Sequence, residues 1–478
     1  MGTKTHDFMK QYVARRNFRN HLVFSKRALY FTLFLLFLII LPLFSMAEAG
    51  VPPSIGRIRI EFILFALTLI GVAVFHHKTF NVALIGLSVI LLFKFIFDPA
   101  FDLREHFLGS TDFITQIFHK DMRQGEWSTL LNLLGLLLGF SVLSKHFEES
   151  GVPDYLPKWL PDDWKGPFLL LIFIFILSSF LDNIAAAMIG GTIALVVFNR
   201  KVHLGYIAAI VAASNAGGSG SVVGDTTTTM MWIDGVSPFN VLHAYIAALA
   251  ALLIFSWYAS KQQDKYHRIQ KDPKPGVKIQ FGKLIIVMAI LAGAILSNIL
   301  YDLPALGVWV AIVVGAIFTK TPWKEVPASI KGTVFLLSLV TCASLMPVNE
   351  LPPASWMTAF ILGFVSAVFD NIPLTKLCLE QGCYDWGMLA YAVGFGGSMI
   401  WFGSSAGVAI CNKFPEARNV GLWLRKGWHI MLAYIVGFFV LYLVMGWEPA
   451  DNNKVKIKDC PCIDCPDKSS MNKPSAVF

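Results

Sequence analysis

Charged residues are scarce in this sequence. Only 15% of its 478 residues are Asp, Glu, Lys or Arg, whereas soluble domains carry roughly 25%. Hydrophobic residues make up 55% of the chain and occur in runs, such as 30–43, 62–75, 82–97 and 430–445. These runs approach the roughly 17–25 apolar residues that cross a hydrocarbon core of about 30 Å. The composition excludes an ordinary soluble protein and predicts an all-α polytopic membrane protein.

Cysteine is also scarce, because seven residues are too few for a disulfide scaffold. Four cysteines lie in apolar stretches, where a thiol usually behaves as a small hydrophobic group: Cys342, Cys378, Cys383 and Cys411. The other three have C-x-C-x-x-C spacing in a polar tail: Cys460, Cys462 and Cys465. Thiolates at this spacing can bind a soft metal. Disulfides or a dispensable tail are favoured over a metal if the tail lies outside the cell.

The motifs of soluble catalysis and of ATP binding are missing. The chain has no H-E-x-x-H and no Walker-type phosphate loop, so neither a metalloprotease nor an ATP-driven pump is supported and no cofactor is expected. Gly403 to Gly407 matches G-x-S-x-G, but no alternating α/β pattern surrounds it. A hydrolase using Ser405 would need a base, and His429 lies one segment away. We interpret the match as a helix break and predict no enzymatic activity.

The net charge of +8 comes from basic residues at the ends of hydrophobic segments, where they set orientation and do not indicate a nucleic-acid partner. The basic arm 1–28 is predicted to be cytoplasmic. The segment 29–49 is either a retained first transmembrane helix or a cleaved signal peptide. We then count one membrane crossing for each apolar segment, starting from the cytoplasmic arm. This count places the acidic loop 98–127 outside, the basic loop 261–283 inside and the polar tail 447–478 outside.

The apolar segments include two pairs of arms that are too short to span a membrane. The arms of the pair 167–198 have about 15 residues each, roughly 22 Å as helix, and the pair 355–383 is similar. We predict two re-entrant hairpins beside about eleven transmembrane helices. The side count makes the first hairpin enter from the cytoplasm and the second from outside.

Two motifs recur in the same order in both halves of the chain. Each hairpin junction carries an Asp-Asn-Ile sequence, beginning at Asp182 and at Asp370. In the next segment, two Gly-rich stretches align without a gap, Gly217-Gly218-Ser219 followed by Gly224-Asp225-Thr226, and Gly396-Gly397-Ser398 followed by Gly403-Ser404-Ser405. Matched motifs in segments of opposite orientation predict two inverted repeats, 61–260 and 284–446, with broken helices at 205–233 and 387–411.

These residue types suit ion binding within a membrane. Glycine runs interrupt a helix, and the freed backbone carbonyls, with oxygens from Ser, Thr and Asn, can replace the water shell of a sodium ion. Asp182 and Asp370 add negative charge where it is costly, so a cation or proton is expected beside them. Other interpretations are helix capping by each Asp-Asn pair, close helix packing at the glycines and, for Asp225, a helix end near the outer surface.

The second arm of the second hairpin carries two opposite charges, Lys376 and Glu380. They are four residues apart, so they can pair with each other, and Lys376 can also pair with Asp370. Snorkelling of both side chains to the membrane surface is an equally good interpretation.

The strings that carry these motifs resemble a known family. FLDNIAAAMIGG, GYIAAIVAASNAGGSGSVVGDTTTTMMW, FDNIPLTKLCLEQG and GGSMIWFGSSAGVAI are similar to NhaD-type sodium/proton antiporters. That family belongs to the ion transporter superfamily, with divalent anion/sodium symporters and arsenite permeases. The resemblance covers most of 60–446 and implies an elevator-type fold and a homodimer. Residue by residue, it implies ion binding or proton coupling at Asp182, Asn183, Asn215, Gly217, Gly218, Asp225, Thr226, Asp370, Asn371, Gly396, Gly397 and Ser404.

The sequence therefore predicts a secondary transporter in a bacterial plasma membrane that exchanges sodium, or lithium, for protons. Burial raises the pKa of an empty carboxyl group and a bound cation lowers it, so the two ions compete for one site. The alternative is a sodium-coupled symporter of di- or tricarboxylates. Such symporters carry Ser-Asn-Thr at their hairpin tips, whereas two fixed acids would repel a dianion, so exchange is favoured.

Overall fold

The computed structural model describes residues 53–56, 58–75, 78–270, 278–456 and 460. The predicted arm 1–28, the segment 29–49, part of the basic loop, most of the tail, Cys462 and Cys465 lie outside these residues. The helices are α1 Ile60–Val74, α2 Thr79–Phe97, α3 Leu103–Leu108, α4 Phe113–Phe118, α5 Trp127–Glu149, α6 Val152–Tyr155, α7 Lys165–Ser178, α8 Asn183–Val197, α9 Leu204–Ser219, α10 Thr226–Ile233, α11 Pro238–Leu242, α12 Ala244–Tyr266, α13 Phe281–Tyr301, α14 Pro304–Phe318, α15 Glu325–Ser344, α16 Trp356–Ser366, α17 Asn371–Gln381, α18 Trp386–Gly396, α19 Ser405–Lys413, α20 Val420–Lys426 and α21 Trp428–Met445.

The described residues fit a polytopic membrane protein. Six helical segments among them are long and apolar enough to cross a bilayer: 79–97, 127–159, 238–266, 281–301, 325–344 and 428–445. The four predicted hairpin arms correspond to α7, α8, α16 and α17, which have 14, 15, 11 and 11 residues. The predicted basic loop starts too early, because α12 continues to Tyr266.

The chain divides into two units. In the smaller one, 53–56, 58–63 and 91–101 are described, and Ser54–Ile55 pairs antiparallel with Ile58–Arg59 as strands β1 and β2. Apart from this pair of two-residue strands, the regular structure of the described residues is helical, as predicted. The buried Glu61 carboxylate contacts Arg59 and lies 3.5 Å from the Lys94 ammonium group. Lys94 also bonds Asp98 at 2.9 Å, so these four described side chains pair opposite charges.

The larger unit contains two groups of contacting helices. In the first group, α5 contacts α13, α14 and α15. The crossing of α13 and α14 depends on glycine, because a Cβ atom on Gly307 would lie 1.9 Å from the Gly293 carbonyl oxygen. The second group contains α7, α8, α9, α12, α16, α18, α19 and α21. Contacts of α17 with α15 and of α10 with α5 connect the two groups.

The middle of the second group is formed by α9 and α18, which contact each other. Every residue from Gly205 to Ser219 and from Trp386 to Gly396 is buried. Both sequences are apolar on all sides, which is the pattern of a helix surrounded by other helices. Each of these helices ends at a Gly-rich segment, so both chain breaks lie inside the unit.

Four charged side chains form a network that we call the Lys376 cluster: Glu126, Lys376, Glu380 and Lys454. The Lys376 ammonium group has no exposed surface and lies 2.7 Å from Glu126 and 2.5 Å from Glu380. Lys454 contacts both carboxylates as well. Lys376 is thus paired inside the protein, and the snorkelling interpretation of this pair is wrong.

Glu126 is expected to make stability depend on pH. Burial raises its pKa, but the charges and hydrogen bonds of Lys376 and Lys454 outweigh burial and hold it at about 2, below the ordinary value of 4.5. This stabilisation is complete above the unfolded-state pKa of about 4.5 and is lost as the pH falls towards 2. Melting curves between pH 7 and 3 test this, since Glu126→Gln should be less stable at pH 7 and should flatten the pH dependence.

The cysteines differ from prediction at Cys383, which forms a disulfide with Cys460. It lies in the loop after α17 rather than inside a helix, so its interpretation as a small hydrophobic group is wrong. The disulfide alternative for Cys460 is correct, and its thiolate is not free for a metal. Cys342, Cys378 and Cys411 are free and buried, as predicted.

Candidate functional site

Each hairpin tip places an aspartate at the N-terminus of its second arm. The Asp182 carboxylate accepts a hydrogen bond from the Ile184 N–H at 3.2 Å, and Asp370 accepts one from the Ile372 N–H at 3.1 Å. These are N-cap contacts, which aspartate favours because it satisfies free N–H groups. Asp370 uses its other oxygen to accept a hydrogen bond from the Ser405 hydroxyl at 3.1 Å. Capping therefore leaves carboxylate oxygens available for other contacts.

A pair of serines fastens the hairpins to the buried helices. The Ser178 hydroxyl donates to the Ser214 carbonyl at 2.6 Å, and the Ser366 hydroxyl donates to the Val393 carbonyl at 2.7 Å. Each serine lies four residues before the tip aspartate, and each acceptor lies three residues before the first glycine of the motif. The same contact is therefore present in both halves of the chain.

The glycine pairs allow close packing, and the breaks follow them. A Cβ atom on Gly217 would lie 2.0 Å from the Phe175 carbonyl oxygen, and one on Gly396 would lie 2.3 Å from the Gly363 carbonyl oxygen. Gly217 and Gly218 are still helical, and the chain leaves the helix at 220–225 and at 397–404. The predicted breaks are present, and the close-packing interpretation of these glycines is also correct.

Asn215 connects the first hairpin tip to the second break. Its side chain is fully buried, and its amide nitrogen donates to the Ser398 and Ser404 hydroxyls at 2.9 and 3.0 Å. Its carbonyl oxygen accepts a hydrogen bond from the Asn183 amide at 3.1 Å. Asn215 therefore links Asn183, in the first half of the chain, to Ser398 and Ser404, in the second half.

Replacing Asn215 by alanine should destabilise the protein, because Asn183, Ser398 and Ser404 would each lose a buried partner. An unsatisfied buried polar group costs about 1–3 kcal/mol, so we expect a clear fall in melting temperature of the detergent-solubilised protein. Asn81→Ala is the matched control because Asn81 is exposed on α2. Equal melting temperatures for the two variants would contradict this role.

Asp225 lies in the break and not near a surface. It is 2% exposed and caps α10, accepting a hydrogen bond from the Thr227 N–H at 3.1 Å. Its other oxygen has no hydrogen-bond partner among the described residues and faces Gly394, where an added Cβ atom would lie 3.5 Å away. The prediction of a helix end is correct, and this end is buried inside the protein.

A cavity of about 890 Å³ reaches the first tip and the first break. Five of the predicted site residues line it: Asp182, Asn183, Asp225, Thr226 and Asn371. The Asn371 amide nitrogen is buried without a hydrogen-bond partner among the described residues. Asp370 does not line the cavity, although its partner Ser405 does. The two tips and both breaks thus lie close together in the structure. Only some of their side chains line the cavity.

The cavity wall carries more negative than positive side chains. Its acidic residues are Glu148, Glu149, Asp154, Asp182, Asp225 and Glu325, and its basic residues are Lys145, Lys158 and Lys413. Lys145 pairs with Glu148 at 2.9 Å, and Lys413 contacts Thr192. Lys283, which is not part of the wall, contacts Glu149, and the wall itself has an excess of carboxyl groups over ammonium groups.

Sequence reasoning missed several residues that build this arrangement. Ser178 and Ser366 were not singled out, and Ser398 and Ser405 were named within the matched motifs but were not predicted to be site residues. Ser178 and Ser366 match in the two aligned hairpins, so extending the motif by four residues towards the N-terminus would have found them. Gly394 has no such signal, because its importance comes from the distant Asp225.

Buried polar side chains at two helix breaks, inside an apolar helical protein, define a membrane transport protein. A family model described as "Citrate transporter" matches residues 82–396, about two thirds of the chain. The chain therefore belongs to the citrate transporter family.

The similar proteins include named antiporters. "Sodium/proton antiporter 1" of Arabidopsis thaliana is 29% identical over 331 residues, 58% of this chain and 55% of that protein. The chain thus spans about half the length of this relative. "Na(+)/H(+) antiporter NhaD" of Alkalimonas amylolytica is 26% identical over 59% of this chain and 70% of that protein. The protein of the same name in Vibrio cholerae is 25% identical over 71% of this chain and 82% of that protein. The resemblance to NhaD-type proteins of the ion transporter superfamily is confirmed.

Proposed function

We propose that this protein exchanges sodium, or lithium, for protons across the membrane. The observation that carries the proposal is the convergence of Asp182, Asp225 and Asp370 around two helix breaks. The cavity that reaches two of them has a predominantly acidic wall. Relatives named sodium/proton antiporters support the same cargo.

The chemistry is competition for the tip carboxylates. A sodium ion beside Asp182 or Asp370 takes oxygen ligands from the carboxylate, from nearby hydroxyls and from carbonyls freed at the breaks. A proton that binds the same carboxylate removes its charge and hence its attraction for sodium. We assign the supporting roles to Asn183, Asn215, Thr226, Asn371 and Ser404, with Gly217, Gly218, Gly396 and Gly397 permitting the close packing. Asp225 adds a third carboxylate.

Alternating access would come from movement of the hairpin-bearing helices against α5, α13, α14 and α15. We propose that the two hairpins enter from opposite faces, as inverted repeats require, and that the protein acts as a homodimer in the plasma membrane. The C-terminal tail would then lie outside. The disulfide between Cys383 and Cys460 agrees with this orientation, because disulfides persist in oxidising compartments.

Sodium-dependent proton movement in proteoliposomes tests the exchange. The purified full chain is reconstituted with a pH-sensitive dye inside the vesicles, and sodium, lithium, potassium and choline gradients are applied in turn across a pH series. We expect proton movement with sodium or lithium only. Proton movement that is equal with choline, or absent with every cation, would refute the proposal.

Symport of a carboxylate with sodium is the second candidate. The family description names citrate, and a cavity of about 890 Å³ is much larger than a sodium ion. Uptake of labelled citrate and succinate by the same vesicles separates the two functions. Sodium-dependent uptake of either label without proton exchange would favour symport.

A further inference from the structure

The chain after α21 folds back over the end of the second hairpin. We call residues 446–456 together with Cys460 the C-terminal strap. Within it, the Ala450 N–H donates to the Tyr384 carbonyl at 3.1 Å, and the Ala450 carbonyl accepts a hydrogen bond from the Trp386 indole at 2.7 Å. The Glu448 N–H donates to the Asp385 carboxylate at 3.1 Å. The strap is thus attached to the loop that follows α17.

Asn452 fixes the middle of the strap. Its side chain is 1% exposed, and its amide donates to the Leu379 carbonyl at 2.8 Å and to the Asp234 carboxylate at 3.2 Å. Next to it, Val455 packs on Gly382, where an added Cβ atom would lie 2.4 Å from the Val455 Cβ. The strap therefore holds the end of α17 and the end of α10 together.

A disulfide and an ionic contact complete the attachment. Cys460 is bonded to Cys383, two residues after α17 ends. Lys454 contacts Glu380 on α17 and Glu126 immediately before α5. Glu126 also binds Lys376 on α17. The strap and the Lys376 cluster thus connect the second hairpin to α5, which belongs to the other group of helices.

Burial raises the pKa of Glu126, but the two lysines outweigh burial and lower it, so the ionic contact of Glu126 resists mild acid. The disulfide is the covalent bond of the strap, and a reducing agent breaks it by thiol exchange. Cys383 and Cys460 are both partly exposed, so a small thiol reagent can reach them.

We infer that the Cys383–Cys460 disulfide is a redox modification site whose reduction by a dithiol releases the C-terminal strap and frees the second hairpin to move against α5. A dithiol thiolate attacks one sulfur, displaces the other cysteine as a thiolate, and forms a mixed disulfide. The second dithiol sulfur then releases the attached cysteine. The dithiol leaves as a disulfide, and the two cysteines gain two electrons and two protons.

Without its covalent end, the strap is held by the contacts of Asn452 and Lys454, by the hydrogen bonds of Ala450 and Glu448, and by the packing of Val455 on Gly382. Lys454 is 28% exposed, whereas Lys376 has no exposed side-chain surface, so salt screens the Lys454 ion pair more than the Lys376 ion pair. Release of Lys454 leaves Glu126 paired with Lys376 alone. The effect on transport rate rests on the proposed exchange function, whereas the release of the strap does not.

Two measurements on the full chain test this inference, both in a Cys462→Ser, Cys465→Ser background so that the tail has one cysteine. Amide hydrogen exchange of residues 371–381 is measured before and after dithiothreitol, and sodium-driven proton movement is measured in the same vesicles. We expect reduction to raise amide exchange in α17 and to raise the transport rate at least threefold. The Cys383→Ser, Cys460→Ser variant should behave as reduced in both conditions, and Lys454→Met should lie between the two states.

The Cys383→Ser, Cys460→Ser variant retains the buried Cys342, Cys378 and Cys411. It therefore also shows whether dithiothreitol acts through these three thiols. Unchanged amide exchange in α17 on reduction would overturn the inference, and so would measurable transport at the same rate in the oxidised and reduced protein. Increased amide exchange in a protein that moves no protons in either state would support strap release and refute sodium/proton exchange instead.

Discussion

Replacing either tip aspartate by asparagine is expected to abolish sodium-driven proton movement. Asn keeps the size of the side chain and can still accept the N-cap hydrogen bonds that Asp182 and Asp370 receive from Ile184 and Ile372. It cannot bind a proton or carry a negative charge. We therefore expect at least a 100-fold loss of exchange rate in inverted vesicles, with normal amounts of folded protein in the membrane.

Asp121→Asn is the matched control, because Asp121 is an exposed carboxylate in the loop before α5. It should exchange at the rate of the unmodified protein. Normal exchange in both Asp182→Asn and Asp370→Asn would refute the assigned role of the tips. Loss in only one of them would assign proton coupling to that tip alone.

The sequence predicted the local structure around the candidate site well, because the signals for it are local. Asp182 and Asp370 each stand between two apolar arms, and an Asp-Asn pair at such a junction can be recognised from a few neighbouring residues. The Gly-rich breaks are equally local, and the structure places the ends of α9 and α18 within a few residues of them. Because both motifs recur in the same order, the two halves of the sequence could be aligned before any contact between them was known.

Contacts between distant parts of the chain could not be predicted. Cys383 and Cys460 are separated by 77 residues, and an apolar neighbourhood gave no indication that Cys383 leaves the helix. The Lys376 to Glu126 pair joins residues 250 positions apart. One sequence cannot show such pairing, because spacing along the chain carries no information about it. The sequence therefore could not decide whether Lys376 and Glu380 form ion pairs or snorkel to the membrane surface. Their contacts in the structure decide it.

The role of Asn215 illustrates an intermediate case. Resemblance implied that it belongs to the site, but its contacts with Ser398 and Ser404 depend on how α9 packs against the second break. The unpartnered oxygen of Asp225 likewise depends on Gly394, which has no side chain to attract notice. Polar networks in buried sites are set by tertiary packing, so their members are recognisable only in part from local sequence.

Adding a single methyl group at Gly217 or Gly396 is expected to be severely destabilising. The new Cβ atom would lie 2.0 Å from the Phe175 carbonyl oxygen in the first case and 2.3 Å from the Gly363 carbonyl oxygen in the second. Both obstacles are backbone atoms of a hairpin arm, so no side-chain rotation relieves the clash. Overpacking of this kind costs about 1–3 kcal/mol and occasionally more, and it would also separate the hairpin arm from the buried helix. We expect a lower melting temperature and loss of exchange in Gly217→Ala and Gly396→Ala.

Gly282→Ala provides the matched control, since Gly282 lies in α13 and the nearest neighbour of its added Cβ atom would be Thr319 at 3.7 Å. Alanine is favoured over glycine within a helix by roughly 0.5–1 kcal/mol, so this variant should melt at the normal temperature or slightly above it. The same chemical change is therefore expected to have opposite signs at the two kinds of position. If Gly217→Ala melts and exchanges like Gly282→Ala, the hairpin does not pack tightly on α9, and the tip carboxylates are not held at the breaks by these glycines.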